Sequence, residues 1–394
     1  MSIERRLSDF EKKLLLTPIR AYIEATYNVE VERNDTLGMK PPYIIVGNHV
    51  TNWDPFFINC YVEEPICFVA AAPAFRNPIM KRVLEYAGAI SKTKSRADSS
   101  TVRGLVRAKK ANRVIGLFPE GNRTWNGRTE PLVYTTAKLV QSLNVPIVVA
   151  KIRGGYLSHP RWATSVRKGK VTVSLERLFD GQDMKALSTD AVHEALTEAL
   201  MLDDFAWQRE TRTTYAGKNL AHHLERYLFA CPHCEEVGKL HSHDDRLTCQ
   251  ACNYEVRYTV EGLFTQVNEP LHFARIDEWN AWQQQLLRRT ASKSKHISEA
   301  LRDDVTLLYE TDNGQLTKQG KASMTCDGEL LVLTFADREL RLAIANIQHI
   351  SIHKHHKIDF YYDGMLYHVK FMNKRASVYM WYSYVNVMKE AHKR

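Results

Sequence analysis

Two short segments and four cysteines carry the residue types that do chemistry. In Gly47-Asn48-His49-Val50-Thr51-Asn52-Trp53-Asp54-Pro55 a histidine and an aspartate stand five residues apart, on a loop that leaves an apolar run and enters a helical pattern. At that spacing the carboxylate can reach the imidazole, fix its tautomer and stabilise its charged form, which leaves the other ring nitrogen as a general base near neutral pH. A plainer reading makes Asp54 the cap of a helix whose first residue is Pro55, with His49 an ordinary loop histidine. The two are compatible, because a cap also holds Asp54 rigid. The second segment, Leu117-Phe118-Pro119-Glu120-Gly121-Asn122-Arg123-Thr124, again leaves an apolar run. There Arg123 can fork onto a phosphate and Gly121 allows close backbone approach. The alternative is a strand-to-loop turn with a solvated Glu120–Arg123 pair.

The cysteines form two Cys-x2-Cys pairs, Cys231 with Cys234 and Cys249 with Cys252, with 14 residues between the pairs. Four soft ligands in two knuckles match a structural, tetrahedral zinc ribbon. A redox pair, or His233, His241 or His243 replacing one thiolate, are the alternatives. Cys60, Cys67 and Cys326 read as plain thiols. The histidines His349, His353, His355 and His356 invite a metal reading, and strand alternation places His353 and His355 on one face. With no carboxylate or thiolate pattern nearby, they read as solvated strand histidines.

These residues need elements to hold them. At 394 residues, 44% hydrophobic and 25% charged, the chain is globular and long enough for two or three domains. Between Pro41 and Ile152, short continuous apolar runs (Tyr43–Val46, Val114–Phe118, Pro146–Ala150) alternate with helical patterns, and Val171–Leu175 follows a basic turn. That order predicts an α/β layer structure with a largely parallel sheet. Thr189–Leu202 reads as an amphipathic helix with Thr189 or Asp190 near its cap. The predicted divisions are an α/β domain over 1–220, a zinc ribbon over 221–268, a helical connector over 269–296, and a β-rich domain over 297–394. The last has several antiparallel strands punctuated by Asn-Gly and Asp-Gly turns, closed by an amphipathic helix from Ala376 to His392. Its order resembles a pleckstrin-homology or related lipid-sensing barrel.

Charge separates these parts. Residues 1–220 hold 32 Lys and Arg against 23 Asp and Glu, an excess of +9, whereas residues 221–295 come to −1 and 296–394 to +1. An anionic partner therefore belongs to the first half, and nucleic acid is not expected at the cysteine module. Eight basic residues between Lys92 and Arg113 face one acid, Asp98. They suit phosphates or an anionic membrane, although such a run is usually a solvated helix face. Phe10, Leu14, Leu15, Leu16, Ile19, Tyr22 and Ile23, flanked by basic residues, fit an interfacial amphipathic segment or one that packs on the core, with Pro18 bending it. The longest apolar stretch, Pro65–Phe75, is about half a membrane span. No signal-peptide pattern opens the chain, so secretion and polytopic insertion are not expected.

Taken together, Asn48-His49-x4-Asp54 and, about 70 residues on, Phe118-Pro119-Glu120-Gly121-x-Arg123 resemble the glycerolipid acyltransferase family, typified by lysophosphatidate (1-acylglycerol-3-phosphate) acyltransferases. Val145–Val149 is similar to that family's Val-Pro-Ile-Val-Pro block, and Gly88–Lys94 stands where the family has Gly-Ile-hydrophobic-Asp-Arg, here with Thr93-Lys94 for the last pair. Asn122 replaces the usual threonine. The likeness covers roughly residues 15–215. It implies that His49, oriented by Asp54, deprotonates the free hydroxyl of a lysophospholipid, which attacks an acyl thioester directly, without a covalent enzyme intermediate. Glu120, Gly121, Asn122 and Arg123, with Lys94, would hold the acceptor's phosphoglycerol head. The implied acceptor is lysophosphatidate, giving phosphatidate, or another lysophospholipid or lipid alcohol. The donor would be acyl-coenzyme A or acyl-acyl carrier protein, and the protein cytoplasmic and peripheral on an anionic membrane surface. A non-catalytic lipid- or nucleic-acid-binding adaptor is the competing class.

Overall fold

The alternation of apolar runs and helical patterns in the first half builds one seven-stranded sheet. In the computed structural model, residues 3–5, 8–92, 99–290, 301–311 and 315–392 are described. They divide into two units, Met1–Arg161 with Val166–Ala216, and Trp162–Ser165 with Gly217–Arg394.

The strands of the first unit are β1 (Asn28–Asn34), β2 (Tyr43–Gly47), β3 (Ile66–Ala71), β4 (Ile90–Lys92), β5 (Val114–Leu117), β6 (Ile147–Arg153) and β7 (Lys170–Phe179). Their order is β1-β7-β6-β2-β5-β3-β4, parallel throughout except where β6 meets β7. The sheet is thus mixed, with the largely parallel character expected. The helices are α1 (Asp9–Thr26), α2 (Asp54–Asn59), α3 (Pro78–Ala87), α4 (Ser99–Lys110), α5 (Thr135–Leu143), α6 (Gly155–Ser158), α7 (Asp183–Ala186), α8 (Thr189–Leu200) and α9 (Asp204–Thr211). Strand β2 is buried along its whole length, as the continuous Tyr-Ile-Ile-Val run demands. It lies between β5 and β6, with Val46 in register with Leu117 and with Val149. The loops that leave β2 and β5 therefore start side by side at one sheet edge, which places the two motif segments next to each other.

Ile44, Val46, Ile115, Leu117, Ile147 and Val149 form a buried core with Leu105, Val140, Val192 and Leu196 of the covering helices. Several local expectations change. Helix α1 runs through Pro18 from a Ser8–Glu11 capping box, leaving Phe10 and Leu14 exposed while Ile23 is buried. The apolar stretch from Pro65 becomes strand β3 and a short helical turn. The cap of α8 is Ser188, whose hydroxyl accepts from the Ala191 amide at 3.1 Å. Among the described residues, no helix is long and apolar enough to cross a membrane.

Arg113 closes the basic run that reads mainly as a solvated helix face and otherwise as a phosphate or membrane surface, and at this residue the structure differs from both. Its guanidinium is buried and donates to the carbonyls of Ile3, Arg5, Pro65 and Ala87 at 2.8–3.4 Å. Four carbonyls from three segments converge on one fork, which only the planar, five-donor arginine can satisfy. Arg103, Arg107 and Lys110 do lie exposed on α4.

In the second unit, β8 (Leu240–His243), β9 (Arg246–Cys249), β10 (Glu255–Tyr258) and β11 (Phe264–Gln266) make a small antiparallel sheet beside the cysteine knuckles, and α10 (Ile276–Thr290) follows. Ile297, where the strand-rich pattern begins, lies outside the described residues. Strands β12 (Arg302–Glu310), β13 (Leu316–Asp327), β14 (Leu330–Thr334), β15 (Glu339–Ala343), β16 (Gln348–His353), β17 (Lys357–Tyr362) and β18 (Met365–Phe371) form a seven-stranded half-barrel in the order β15-β14-β13-β12-β18-β17-β16, before α11 (Val378–Ala391). The module and the half-barrel are joined by buried Glu225, which pairs with Arg375 at 2.7 Å.

The histidine cluster departs from expectation. Strand β16 ends at His353, so His355 and His356 fall in the turn that follows, and the shared strand face does not exist. A carboxylate is present after all: Asp359 on β17 accepts from His353 at 3.0 Å and from His368 at 2.5 Å. Burial works against its charge, but the two imidazoles hold it well below the usual carboxylate range.

Arg113→Met is expected to leave buried carbonyls unpaired and to destabilise the first unit by about 1–3 kcal/mol, read as a lower denaturant midpoint at unchanged m-value. A midpoint equal to the parent's would show that those carbonyls find other donors.

Candidate active site

His49 sits two residues beyond β2, and its surroundings follow from how that loop is pinned. Asn48 is buried and continues the ladder with its side chain: its Nδ2 donates to the Ile152 carbonyl at 2.9 Å, and its Oδ1 accepts from the Ile152 amide at 2.8 Å. Asp54 is fully buried. It accepts from the Val50 amide at 2.7 Å, from the Thr51 amide at 2.9 and 3.0 Å, and from the Thr51 hydroxyl at 2.8 Å. Its Oδ2 also lies 2.7 Å from Nδ1 of His49. The helix starts at Asp54 itself with no side-chain cap, and the carboxylate turns back onto the loop, so the plain capping reading does not hold.

An acceptor-only carboxylate at Nδ1 assigns the proton to that nitrogen and the lone pair to Nε2. Among the described residues Nε2 has no hydrogen-bond partner, and the imidazole is 21% exposed. Phe118 stacks on the ring at 4.3 Å between centroids. Burial lowers the pKa of His49 below its ordinary 6.5; Asp54 opposes this, while the charges of Arg123 and Arg161 add to it. The result is an oriented, neutral base that reaches solvent.

The second loop is fastened to the first. Glu120 is buried, and it accepts the His49 amide on Oε1 at 2.6 Å and the Glu130 amide on Oε2 at 2.8 Å. Burial pushes this carboxyl up to about 8 despite the two amide bonds. The His49 carbonyl accepts from the Thr124 amide at 2.9 Å, so the histidine backbone is held on both sides by the Glu120–Thr124 segment. Gly121 takes a left-handed φ of 68° at the exposed turn, a conformation that favours glycine. Asn122 is exposed beside it, and Arg123 is half-buried. Among the described residues the Arg123 guanidinium makes no ion pair; burial lowers its pKa and Asp54 acts against that. Lys94 and Thr93 lie outside the described residues.

Several residues around the site gave no sequence signal. Arg161 is buried, lies 4.2 Å over the Trp125 ring and donates to the Arg123 carbonyl at 2.7 Å. His159 is pushed down to about 4, first by burial and then by Arg123 and Arg167. Asp204 is buried and accepts the Gly154 and Tyr156 amides, both at 3.0 Å. Its neighbour Asp203 could be found as a helix cap; Asp204 points backwards, and only the fold reveals its partners.

The four cysteines come together in the second unit. Sγ atoms of Cys231 and Cys252, and of Cys234 and Cys249, are 3.7 Å apart, and all four lie within 4.8 Å of one another. That is too long for a disulfide, whereas thiolates about 2.3 Å from one zinc ion stand about 3.8 Å apart. The two knuckles repeat one design. The residue after each second cysteine, Glu235 and Asn253, has a left-handed φ of 59° and 63°. Their amides return to the Cys231 and Cys249 carbonyls, both at 2.9 Å. The donor set suits a tetrahedral zinc ion, and among the described residues no histidine joins the cluster.

Comparison with known proteins places the first unit. Residues 28–153 match the Acyltransferase family model, a segment that holds both motif loops. No curated protein sequence matches the chain. The crystal structure of the 1-acyl-sn-glycerophosphate (LPA) acyltransferase of Thermotoga maritima is 22% identical with a TM-score of 0.42, covering 48% of this chain and 78% of that one. Inner Membrane Complex sub-compartment protein 3 of Toxoplasma gondii is 12% identical with a TM-score of 0.21, covering 28% of this chain and 87% of that one. Neither structural likeness is close enough to assign an activity. The family match falls where the motifs predicted it, and residues 28–153 of the chain form an acyltransferase domain.

Proposed function

We propose that the first unit moves a fatty acyl group from an acyl thioester to the free hydroxyl of lysophosphatidate, giving phosphatidate. The observation that carries this reading is the neutral, Asp54-oriented His49 with an open Nε2, next to an Arg123 guanidinium that makes no ion pair among the described residues. Nε2 takes the proton of the acceptor hydroxyl as its oxygen attacks the thioester carbonyl. The carbon–sulfur bond of the tetrahedral intermediate then breaks, and the His49 proton passes to the leaving thiolate. Asp54 stabilises the imidazolium between the two steps. Arg123, with Gly121 and Asn122 at the exposed turn and Lys94 as a point charge, binds the phosphoglycerol head. Glu120, its oxygens engaged by amides, acts through position: it holds the His49 loop against the Arg123 loop. Acyl-coenzyme A or acyl-acyl carrier protein serves as donor.

We place the protein in the cytoplasm, peripherally on an anionic membrane surface. Support comes from large apolar side chains exposed on two helices of the first unit: Phe10 (74%) and Leu14 (65%) on α1, and Ile79 (75%), Met80 and Val83 on α3. No residue of α3 is buried, and Lys81 and Arg82 interleave with its apolar ones. The Cys231, Cys234, Cys249 and Cys252 module holds a structural zinc ion, and the half-barrel with its closing helix is pleckstrin-homology-like.

Thiol release from palmitoyl-coenzyme A with a panel of lysophospholipids tests the reaction. Release that requires lysophosphatidate, and that falls about 10²–10⁴-fold in His49→Ala, is expected. Release with another lysolipid would move the acceptor, and none with either donor would favour the adaptor class. Because His49 must be neutral to act and its pKa lies below 6.5, the acid limb of kcat/KM is expected below that pH. In Asp54→Asn the stabilising charge is gone, so the limb moves lower still while the rate falls; an acid limb above 6.5 would contradict the neutral base. For the cysteine module, one zinc per chain by elemental analysis is expected, with chelation or Cys234→Ser lowering the melting temperature of the second unit. Full metal-free stability would remove the structural role.

A further inference from the structure

The loop that carries Arg123 is anchored at three consecutive residues, and each anchor comes from a different part of the first unit. The Thr124 amide is bonded to the His49 carbonyl at 2.9 Å. The Trp125 carbonyl accepts from the Tyr156 hydroxyl at 2.9 Å. The Arg123 carbonyl accepts from Nη1 of Arg161 at 2.7 Å, and the same guanidinium covers the Trp125 ring at 4.2 Å. Arg161 is itself delivered by a tight turn after β6. Gly154 there has φ 73°, and a Cβ on it would stand 2.3 Å from the Lys170 carbonyl. The amides on either side of Gly155 are held by buried Asp204.

We infer that Arg161 is a positioning residue for headgroup recognition: by holding the Arg123 carbonyl and stacking on Trp125, it sets the Arg123 guanidinium in place before the anion arrives. This rests on the proposed reading of Arg123 as the phosphate ligand. Only arginine joins a flat face for the indole to a directed N–H for the carbonyl; lysine keeps the charge without the fork. Pre-setting matters because the entropy of ordering an arginine side chain would otherwise weaken binding. A second consequence is electrostatic, because Arg161 adds a fixed positive charge near His49 that favours the neutral imidazole.

The test is a double-variant cycle on the full chain, with glycerol 3-phosphate as probe and calorimetry as readout. Arg161→Met is expected to weaken binding about tenfold, Arg161→Lys less, and Arg123→Met more than either. The diagnostic is the pair: Arg123→Met with Arg161→Met is expected to bind no worse than Arg123→Met alone, because a positioning residue acts only through the group it positions. Additive losses would make Arg161 a phosphate ligand in its own right and overturn the inference, as would unchanged binding in Arg161→Met. No binding by the parent protein would instead sink the headgroup reading beneath it. Nuclear magnetic resonance titration of His49 supplies a readout that loosened packing alone would not move: its pKa should rise in Arg161→Met and hold in Arg161→Lys, and equal values in all three proteins would count against the charge role. If Arg161→Met fails to fold, Trp125→Leu, which removes the stack, enters the same cycle with the same expected non-additivity.

Discussion

Burying the Asp54 carboxylate completely costs several kcal/mol unless its lone pairs are filled, and that requirement shapes the whole site. The donors that fill them are the amides of Val50 and Thr51, the Thr51 hydroxyl and the imidazole of His49. All four lie on the loop between β2 and α2, so satisfying one carboxylate folds the loop into a single shape. The histidine is thereby oriented by the same bonds that stabilise its neighbourhood. Asn48 fastens the start of this loop to β6, and Glu120 fastens its middle to the loop after β5. Parallel adjacency of β2 and β5 is the precondition, because it brings both loops out at one edge.

Around this anionic centre the first unit gathers cations that the composition announces only as an excess of +9 over residues 1–220. The structure sorts them by task. Arg113 is consumed by backbone carbonyls far from the chemistry, Arg161 by the Arg123 carbonyl and Trp125, and Arg103, Arg107 and Lys110 face solvent. Arg123 is the cation near His49 that makes no ion pair among the described residues. Net charge could place an anionic partner in this half of the chain; it could not say which guanidinium was spent on structure.

Much of the site was legible because its parts are local. A histidine and an aspartate five residues apart, a Phe-Pro-Glu-Gly turn and two Cys-x2-Cys knuckles are each set by a few neighbouring residues, and the structure brings each together as expected. What escaped depends on contacts that spacing does not encode. Glu120 reads as a contact to the acceptor head, or else as half of a solvated pair with Arg123, yet its oxygens meet amides of His49 and Glu130. Asp54 meets the imidazole as expected, and its alternative role as a helix cap is absent. The strand histidines met a carboxylate, Asp359, that lies on the next strand in register with Ser351 and His368. Arg161 and Asp204 come from segments with no motif, and the turn at Gly154 carries the first to the site.

The base itself is a balance of opposed effects. Asp54 raises the affinity of His49 for a proton, burial lowers it, and Arg123 and Arg161 lower it further, with the net effect downward. A neutral imidazole is what proton abstraction needs, but a weak base also extracts a hydroxyl proton poorly. On the proposed reading the substrate resolves this tension. A phosphate seated on Arg123 cancels part of the cationic field at His49, so the imidazole becomes a stronger base when the hydroxyl is in place. The imidazolium that forms then lies between Asp54 and the phosphate, two anions that stabilise it more than they stabilise the neutral ring. On that reading the guanidinium that would recognise the head also suppresses protonation of the empty site and would release that restraint on binding, tying recognition to reactivity through one charge.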